Sequence, residues 1–398
     1  MPLQKHHDLP FSITIGIDAS NIRAGGGLTH LSCLLGAFTS SPSAVFRVVV
    51  WGGKNTLDKL PSREGIELIH DFMLDCVLPV RMAWQRWLLP KYLRIKKCDI
   101  LFSPGGILPV KSGISMVAMS QNLLPFELHE SKRFARWSFM RLKMKLVGDQ
   151  QRRSMEQANG LIFLTQYAQN TVLPALRHHP NMVAVIPHGI ESRFFRNPHN
   201  VLQESTFTYK RPFRLLYVSI IDVYKHQWRV AEAVAALRAK GYPVEIDFVG
   251  PAYGPSLKKL SGVINRLDPE GEYLHYRGAI PFAELHSAYI KSDAFVFASS
   301  CENLPNILLE AMAAGLPIAC SNKGPMPEVL KNCGVYFNPE RAEEIEEALL
   351  QLLKDSSFRK QCALGAYELS KEYSWSRCAD ETIKFILDVV CKNKEISN

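Results

Sequence analysis

"DAFVFASSCENLPNILLEAMAAGLPIACS", residues 293–321, decides the fold, because it reads as a strand, a loop, a helix and a second strand in immediate succession. "DAFVFAS" (293–299) and "PIACS" (317–321) are short apolar runs bounded by turn residues. Pro305 has no amide hydrogen to lose and suits a first helical turn, so a helix is predicted to start near Asn303 to Pro305 and to run through "NILLEAMAA". Gly315 stops it, and Pro317 opens the next strand.

Two carboxylates interrupt this apolar stretch. Glu302 falls in the loop before the helix, and Glu310 falls in its second turn. The free amides of the loop and the positive end of the helix make an anion site. Glu310 is followed by Ala-Met-Ala-Ala-Gly, a small-residue surface suited to close packing, and an acid embedded there needs a partner. The plainer alternative has Glu302 capping the helix and Glu310 solvated or paired with a lysine.

The same alternation extends in both directions, which is the pattern of parallel α/β sheets. Upstream, strands are predicted at "ITIGID" (13–18), "FRVVVW" (46–51), "IELIH" (66–70), "DILFS" (99–103), "SMVAMS" (115–120), "GLIFLT" (160–165) and "MVAVIP" (182–187). A second series holds "FRLLYVS" (213–219), "VEIDFVG" (244–250), "EYLHYRG" (272–278), "DAFVFAS", "PIACS" and "GVYF" (334–337). Between the series, "RNPHNVLQESTFTYKRP" (196–212) is polar, has prolines near both ends and lacks an apolar period, and it marks the expected domain boundary. Two doubly wound sheets are expected to face each other across a cleft, with ligands outside the carboxyl ends of their strands.

Composition fits this reading. The chain has 398 residues, enough for two domains, with 47% hydrophobic and 21% charged residues and a net charge of +9 that suits anionic partners. Nine cysteines are scattered and never spaced as CxxC, so neither a disulfide framework nor a zinc site is expected, and His6/His7 and His178/His179 are adjacent pairs without ligand spacing. The opening "MPLQKHHDLPF" lacks a signal-peptide pattern, and no uninterrupted apolar run approaches the roughly 18 residues of a spanning helix. A cytoplasmic location is expected.

In the first half, "IDASNIRAGGGLTHLSCLLGAF" (17–38) sets Gly25, Gly26 and Gly27 between a strand and a helix, where the backbone can approach a phosphate or form a plain tight turn. It is not GxGxxG, and the strand "FRVVVWGG" ends without an acidic residue, which argues against a nicotinamide dehydrogenase. "SKRFARWSFMRLKMKLVGDQQRRS" (131–154) carries eight Lys or Arg residues, with Phe134, Trp137, Phe139, Met140, Leu142 and Leu146 among them. With "RMAWQRWLLPKYLRIKK" (81–97) it makes the first domain basic and aromatic, suited either to an anionic bilayer surface or to burying its rings in the core.

"SSCENLPNILLEAMAAGLPIACSNKGPMPEVL" (299–330) resembles the signature of retaining glycosyltransferases of family 4, whose E-x7-E motif matches Glu302 and Glu310. "FLTQYAQNTV" (163–172), "VIPHGIESRFF" (185–195), "LLYVSIIDVYKHQWRVAEAVAAL" (215–237) and "YSWSRCADETIKFIL" (373–387) are similar to other family segments, in the family's order. The resemblance implies the GT-B fold of two Rossmann-like domains: an acceptor domain at 1–197, a nucleotide-sugar donor domain at 198–372, and a helix at 373–398 crossing back to the first domain. It implies that Glu310 holds the ribose hydroxyls and that Glu302 holds the transferred sugar, with backbone amides near Asn303 and Leu304. Lys225 would meet the diphosphate, Ser219 would line the donor site, and the base would be read by backbone near Arg277 and Gly278.

This chain departs from the family pattern where a Gly-Arg pair often follows the first donor-domain strand: it has Ser219 and Ile220, and His226 replaces the usual glycine after Lys225. In "MVAMSQNLLPFE" (116–127), Gln121 and Asn122 stand where many relatives carry His-Asp. Neutral amides orient a hydroxyl without acting as base, which fits a front-side reaction in which the leaving phosphate takes the proton. The implied activity is transfer of a hexose, with mannose a common case, to a glycan or polyprenyl-diphosphate-linked acceptor in bacterial polysaccharide synthesis. No metal or other cofactor is expected, and no nucleic-acid partner. The alternative is a nucleotide-sugar epimerase of the same fold, acting on donor alone.

Overall fold

Apolar runs buried on both faces form parallel strands, and they do so here in two sheets. The structure is a computed structural model that describes residues 13–23, 25–38, 46–109, 112–134, 139–198 and 202–397. The first sheet comprises β1 (Ile13–Asp18), β2 (Phe46–Gly52), β3 (Ile66–His70), β4 (Ile100–Ser103), β5 (Ser115–Met119), β6 (Gly160–Phe163) and β7 (Met182–Val185), in the order β3-β2-β1-β4-β5-β6-β7. The second comprises β8 (Phe213–Val218), β9 (Val244–Val249), β10 (Leu274–Gly278), β11 (Ala294–Phe297), β12 (Ile318–Ser321) and β13 (Val335–Phe337), in the order β10-β9-β8-β11-β12-β13. Every predicted strand is present, and every pairing is parallel.

The central strands form the cores. In β1, Ile15 pairs with Val48 on one side and with Ile100 on the other, and all three are buried. In the second sheet, β11 lies between β8 and β12 and its four residues are fully buried. Each large aliphatic side chain so buried contributes roughly 1.5–3 kcal/mol.

The helix predicted within 293–321 spans Asn306–Ala313, with Pro305 as its N-cap. Gly315 follows at φ 66°, a conformation that favours glycine. A Cβ there would lie 2.8 Å from Pro198 Cα and 2.9 Å from Arg196 O. The Arg196 amide also donates to Ala313 O at 2.9 Å. The start of the polar stretch 196–212 is therefore fastened to this helix, and Phe207, buried within the stretch, packs against Phe213 with ring centroids 5.0 Å apart. Polar composition hid these backbone contacts.

The chain falls into two compact units. The first takes the chain up to Asn122, then Lys145–Gly189, then Trp375 onward; the second takes Leu123–Met144 and Ile190–Ser374. A division at 197/198 and 372/373 therefore differs mainly in the excursion Leu123–Met144. That excursion is held in the second unit by Glu130 and Arg133, which bond Ser300 and Glu340, and by Phe134, whose ring lies 6.2 Å from that of Tyr253. The last helix, Trp375–Ser397, packs on the first unit, where Lys392 Nζ donates to Asn181 O at 3.3 Å and Asn393 Nδ2 to Ser115 Oγ at 2.9 Å.

Candidate active site

In the second sheet the strand order reverses between β8 and β11, and the loops leaving these neighbours lie at their carboxyl ends, where doubly wound sheets bind ligands. Ser219 leaves β8 buried, its amide bonded to Val249 O at 2.9 Å. Gly250 passes so close that a Cβ would lie 2.1 Å from Ser219 O. The chain then turns through Asp222 and Lys225, whose amide donates to Asp222 O at 3.1 Å, and reaches His226 at φ 49°, the N-cap of the helix Gln227–Ala239. After β11, the Ser300 amide donates to Tyr224 O at 2.8 Å, which ties the two loops together.

Across this tie, Lys225 Nζ and Glu302 Oε1 form an ion pair with both side chains largely buried. The rings of Tyr224 and Phe297 each lie 5.2 Å from the ammonium. Glu302 therefore does not cap the helix, and its partner is the lysine that the sequence assigned to diphosphate.

Beside the pair runs a second polar chain. Ser300 Oγ donates to Glu130 Oε2 at 2.6 Å, and His226 Nε2 lies 3.0 Å from the same hydroxyl oxygen. Burial, reinforced by Arg133, pushes His226 down to about 4, so its imidazole is neutral and its Nε2–H donates to Ser300. Burial pushes Glu130 upward, but hydrogen bonds from Arg133 and Ser300 outweigh it and hold the carboxyl below its usual range. Arg133 bonds Glu130 at 2.7 Å and Glu340 at 2.6 Å.

Glu310, on the helix Asn306–Ala313, is buried and accepts a hydrogen bond from Tyr289 OH at 2.9 Å. Burial pushes its carboxyl up to about 8, against the opposing influence of Tyr289 and Arg193. The Arg193 guanidinium sits 4.1 Å over the Phe282 ring and bonds Glu191 at 3.2 Å. Glu310 is thus neither solvated nor paired with a lysine. Asn303 and Leu304 are buried in the same loop as Glu302. Gly278 ends β10 at φ 72°, its carbonyl bonded to the Gly250 amide at 2.8 Å, and Arg277 is paired with Asp247 at 2.7 Å.

The first unit holds the remaining predicted residues. Gly25, at φ 70°, is the N-cap of the helix Gly26–Ala37, and Gly26 and Gly27 form its first turn. Gln121 Nε2 lies 3.0 Å from His30 Nδ1, and a Cβ on Gly27 would lie 3.0 Å from Gln121 Oε1. Gly27, Gln121 and His30 are therefore brought together, with Asn122 next in the chain. The buried rings of His30 and His188 cluster with the half-buried Trp375, with centroids 4.5, 5.6 and 5.7 Å apart. Burial drives His30 well below its ordinary range and His188 down to about 3.

Sequence reasoning missed Glu130, Ser300, Tyr289 and His30. His30 lies three residues after the glycines, a spacing that puts it on the same helical side and was legible. Glu130 joins Ser300 across 170 residues and left no local signal. Among the described residues, no cluster of three or more His, Cys, Asp or Glu side chains is arranged to hold a metal ion.

Residues 200–369, which contain Lys225, Glu302 and Glu310, match the family described as Glycosyl transferases group 1. A stretch of 121 residues, 30% of this chain, is 32% identical to O-antigen chain mannosyltransferase B of Escherichia coli and covers 32% of that enzyme. The first curated relatives are matched over only 21% to 38% of their own lengths. Solved structures are similar over almost the whole chain. HepE of Anabaena in complex with UDP superposes with a TM-score of 0.68 at 16% identity, covering 94% of this chain and 100% of that one. WaaG, a glycosyltransferase involved in lipopolysaccharide biosynthesis, gives 0.68 at 17% identity, covering 94% and 99%. The chain has the GT-B fold of two parallel-sheet Rossmann-like domains, and its residues 200–369 match the Glycosyl transferases group 1 family.

Proposed function

We propose that this protein is a retaining glycosyltransferase of the family 4 type, which moves a hexose from a nucleotide sugar to a glycan or polyprenyl-diphosphate-linked acceptor in bacterial surface polysaccharide synthesis. The observation that carries the reading is the Lys225–Glu302 pair at the β8/β11 switch point, with the buried acid Glu310 on the helix that follows. The mannosyltransferase relative favours mannose as the sugar, and the HepE complex with UDP favours a nucleoside-diphosphate donor.

In this mechanism Lys225 exchanges Glu302 for the departing diphosphate and stabilises its developing charge, while Glu302 turns to the sugar hydroxyls together with amides near Asn303 and Leu304. Glu310 accepts hydrogen bonds from the ribose hydroxyls. Ser219 and Gly278 line the donor site by backbone. In the first unit, Gln121 and Asn122 orient the acceptor hydroxyl beside Gly25, Gly26 and Gly27, and the leaving phosphate takes the hydroxyl proton. No metal takes part, and the protein works at the cytoplasmic face of the membrane.

A thermal-shift screen with UDP, GDP, ADP and their sugar conjugates, run beside Glu310→Ala, tests the donor site. The expected result is a shift for one nucleotide series that Glu310→Ala loses. Transfer with retention, read from the anomeric proton of the product, completes the assignment. Conversion of donor in the absence of any acceptor would replace it with the epimerase reading.

A further inference from the structure

Four segments of the first unit meet around one ring. His30 lies in the helix Gly26–Ala37 that follows β1, Gln121 two residues after β5, His188 three residues after β7, and Trp375 opens the last helix. His30 is fully buried, with the rings of His188 and Trp375 against it at 4.5 and 5.6 Å between centroids. A Cβ on Gly189 would lie 2.2 Å from Trp375 N, so the stretch "VIPHGI" seats the last helix beside this cluster. Packing therefore fixes the plane of the His30 ring. Among the described residues its Nε2 has no hydrogen-bond partner, and the one polar bond of the ring is made at Nδ1, to Gln121.

That bond settles which way the Gln121 amide points. Gln121 Nε2 lies 3.0 Å from His30 Nδ1 and 3.4 Å from Met119 Sδ. An amide nitrogen donates and a thioether sulfur accepts, so turning the amide over would set its oxygen against the sulfur with no proton between them. Nδ1 must then accept, and a neutral imidazole that accepts at Nδ1 carries its proton on Nε2. An imidazolium has no lone pair to offer, and burial, which drives His30 well below its ordinary range, keeps the ring neutral. With both amide hydrogens directed inward, Oε1 faces the glycine loop, where a Cβ on Gly27 would lie 3.0 Å away. Among the described residues Oε1 accepts no hydrogen bond, and Gln121 is only half-buried. An unused oxygen lone pair is therefore open at the loop.

We propose that His30 is a positioning residue, which locks the Gln121 amide so that its oxygen meets a ligand group that donates a hydrogen bond: a sugar hydroxyl, and not a carboxylate, phosphate or carbonyl oxygen. The proposal rests on the transferase reading for the identity of that ligand and adds the polarity of the site that receives it. A free glutamine side chain offers either end of its amide and serves donors and acceptors alike, so the selection comes from His30. Gly27 completes the arrangement, because a side chain at that position would press on Oε1 and cover it.

Long-range proton–nitrogen correlation spectra of the full-length protein, labelled with nitrogen-15 histidine, test the lock without any substrate, and His30→Asn assigns the signals. The expected spectrum is that of a neutral His30 ring protonated at Nε2, whose Nδ1 resonance moves in Gln121→Leu. A proton on Nδ1, an imidazolium at neutral pH, or an Nδ1 resonance indifferent to Gln121→Leu would overturn the proposal. Kinetics then separate positioning from packing. With the donor selected by the nucleotide screen and methyl α-mannoside as acceptor, His30→Leu is expected to lower kcat by about tenfold or more while the donor KM stays within about twofold. His30→Asn, whose Oδ1 accepts in place of Nδ1, should restore most of the rate, and equal losses in the two variants would make His30 a packing residue. Gly27→Ala should raise the KM for methyl α-mannoside and leave the His30 spectrum as it is; an unchanged KM would place the hydroxyl elsewhere. The nucleotide thermal shift of the wild type keeps the two readings apart: its absence beside an Nε2–H ring would remove the transferase and leave the lock standing, and its presence beside an Nδ1–H ring would do the reverse.

Discussion

Lys225 and Glu302, 77 residues apart in sequence, form a largely buried ion pair at the carboxyl ends of two adjacent strands. Each is the other's counter-charge, so removing one leaves a buried charge exposed to its full desolvation cost. Lys225→Met is expected to lower stability by about 3 kcal/mol, and Glu302→Leu by a similar amount. The double variant should be more stable than the sum of the singles implies, with a coupling of about 0.5–3 kcal/mol. Urea unfolding of all four proteins measures this, and strict additivity would mean the pair is not coupled. All three variants should lose transfer activity by about 100-fold or more, since in the proposed mechanism the cation serves the leaving group.

Glu310 provides a pH test of nucleotide binding. Its carboxyl is raised to about 8 by burial, with Tyr289, Arg193 and Glu191 as the polar groups around it. Ribose hydroxyls that donate to Glu310 favour the carboxylate, so affinity should rise with pH through about 8, by as much as tenfold per unit below that value. The stability effect has the opposite sign. The folded protein holds a proton that the unfolded chain releases above its ordinary carboxylate range, so stability is full below about pH 4.3 and is lost as pH rises through about 8, at up to about 1.4 kcal/mol per pH unit. Glu310→Gln should flatten both slopes. Nucleotide titration calorimetry at pH 6.5, 7.5 and 8.5 decides it, and an unchanged affinity in the wild type would remove Glu310 from the ribose.

How much of this was legible in the chain follows from the range of each interaction. Strand identity depends on apolar runs of four to seven residues, so all the strands could be read locally, and the alternation with helices fixed their parallel pairing. Glu302 and Glu310 were legible because a single loop and helix carry both. Their partners were not: Lys225 and Tyr289 reach them only after the sheet forms, and Glu130 arrives on an excursion that sequence order places in the other unit. The exposed rings of the 72–97 segment were equally hidden, because Trp84 and Trp87 look alike in sequence, yet the first is buried and the second faces solvent.

Ser300 is the shared atom of the His226–Ser300–Glu130 chain, and its hydroxyl both donates and accepts. Ser300→Ala deprives Glu130 of a charge-assisted hydrogen bond and leaves the buried His226 Nε2–H without an acceptor. The expected cost is about 1–3 kcal/mol. Ser300→Thr keeps the hydroxyl and should recover most of it. Thermal unfolding compares the two, and equal losses would point to packing as the cause. Because Ser300 also joins the loops that carry Lys225 and Glu302, Ser300→Ala should lower turnover beyond what instability explains when assayed well below its melting point.

The buried rings of His30 and His188 make the first unit sensitive to acid. Both are held below the ordinary histidine range, His188 down to about 3, because burial disfavours the imidazolium, and at His30 the neighbouring His188 adds to it. A group with a lowered folded pKa binds more protons when unfolded, so its contribution to stability is present above about pH 6.5 and is lost as pH falls toward the folded value. Each histidine should therefore add a slope of up to about 1.4 kcal/mol per pH unit as pH falls below about 6.5 toward its folded value. His188→Gln, a neutral side chain of similar reach, should remove one of the two slopes and leave the other. Urea midpoints at half-unit steps from pH 7 to pH 4.5 measure this directly, and parallel pH profiles for wild type and His188→Gln would show that the acid sensitivity arises elsewhere.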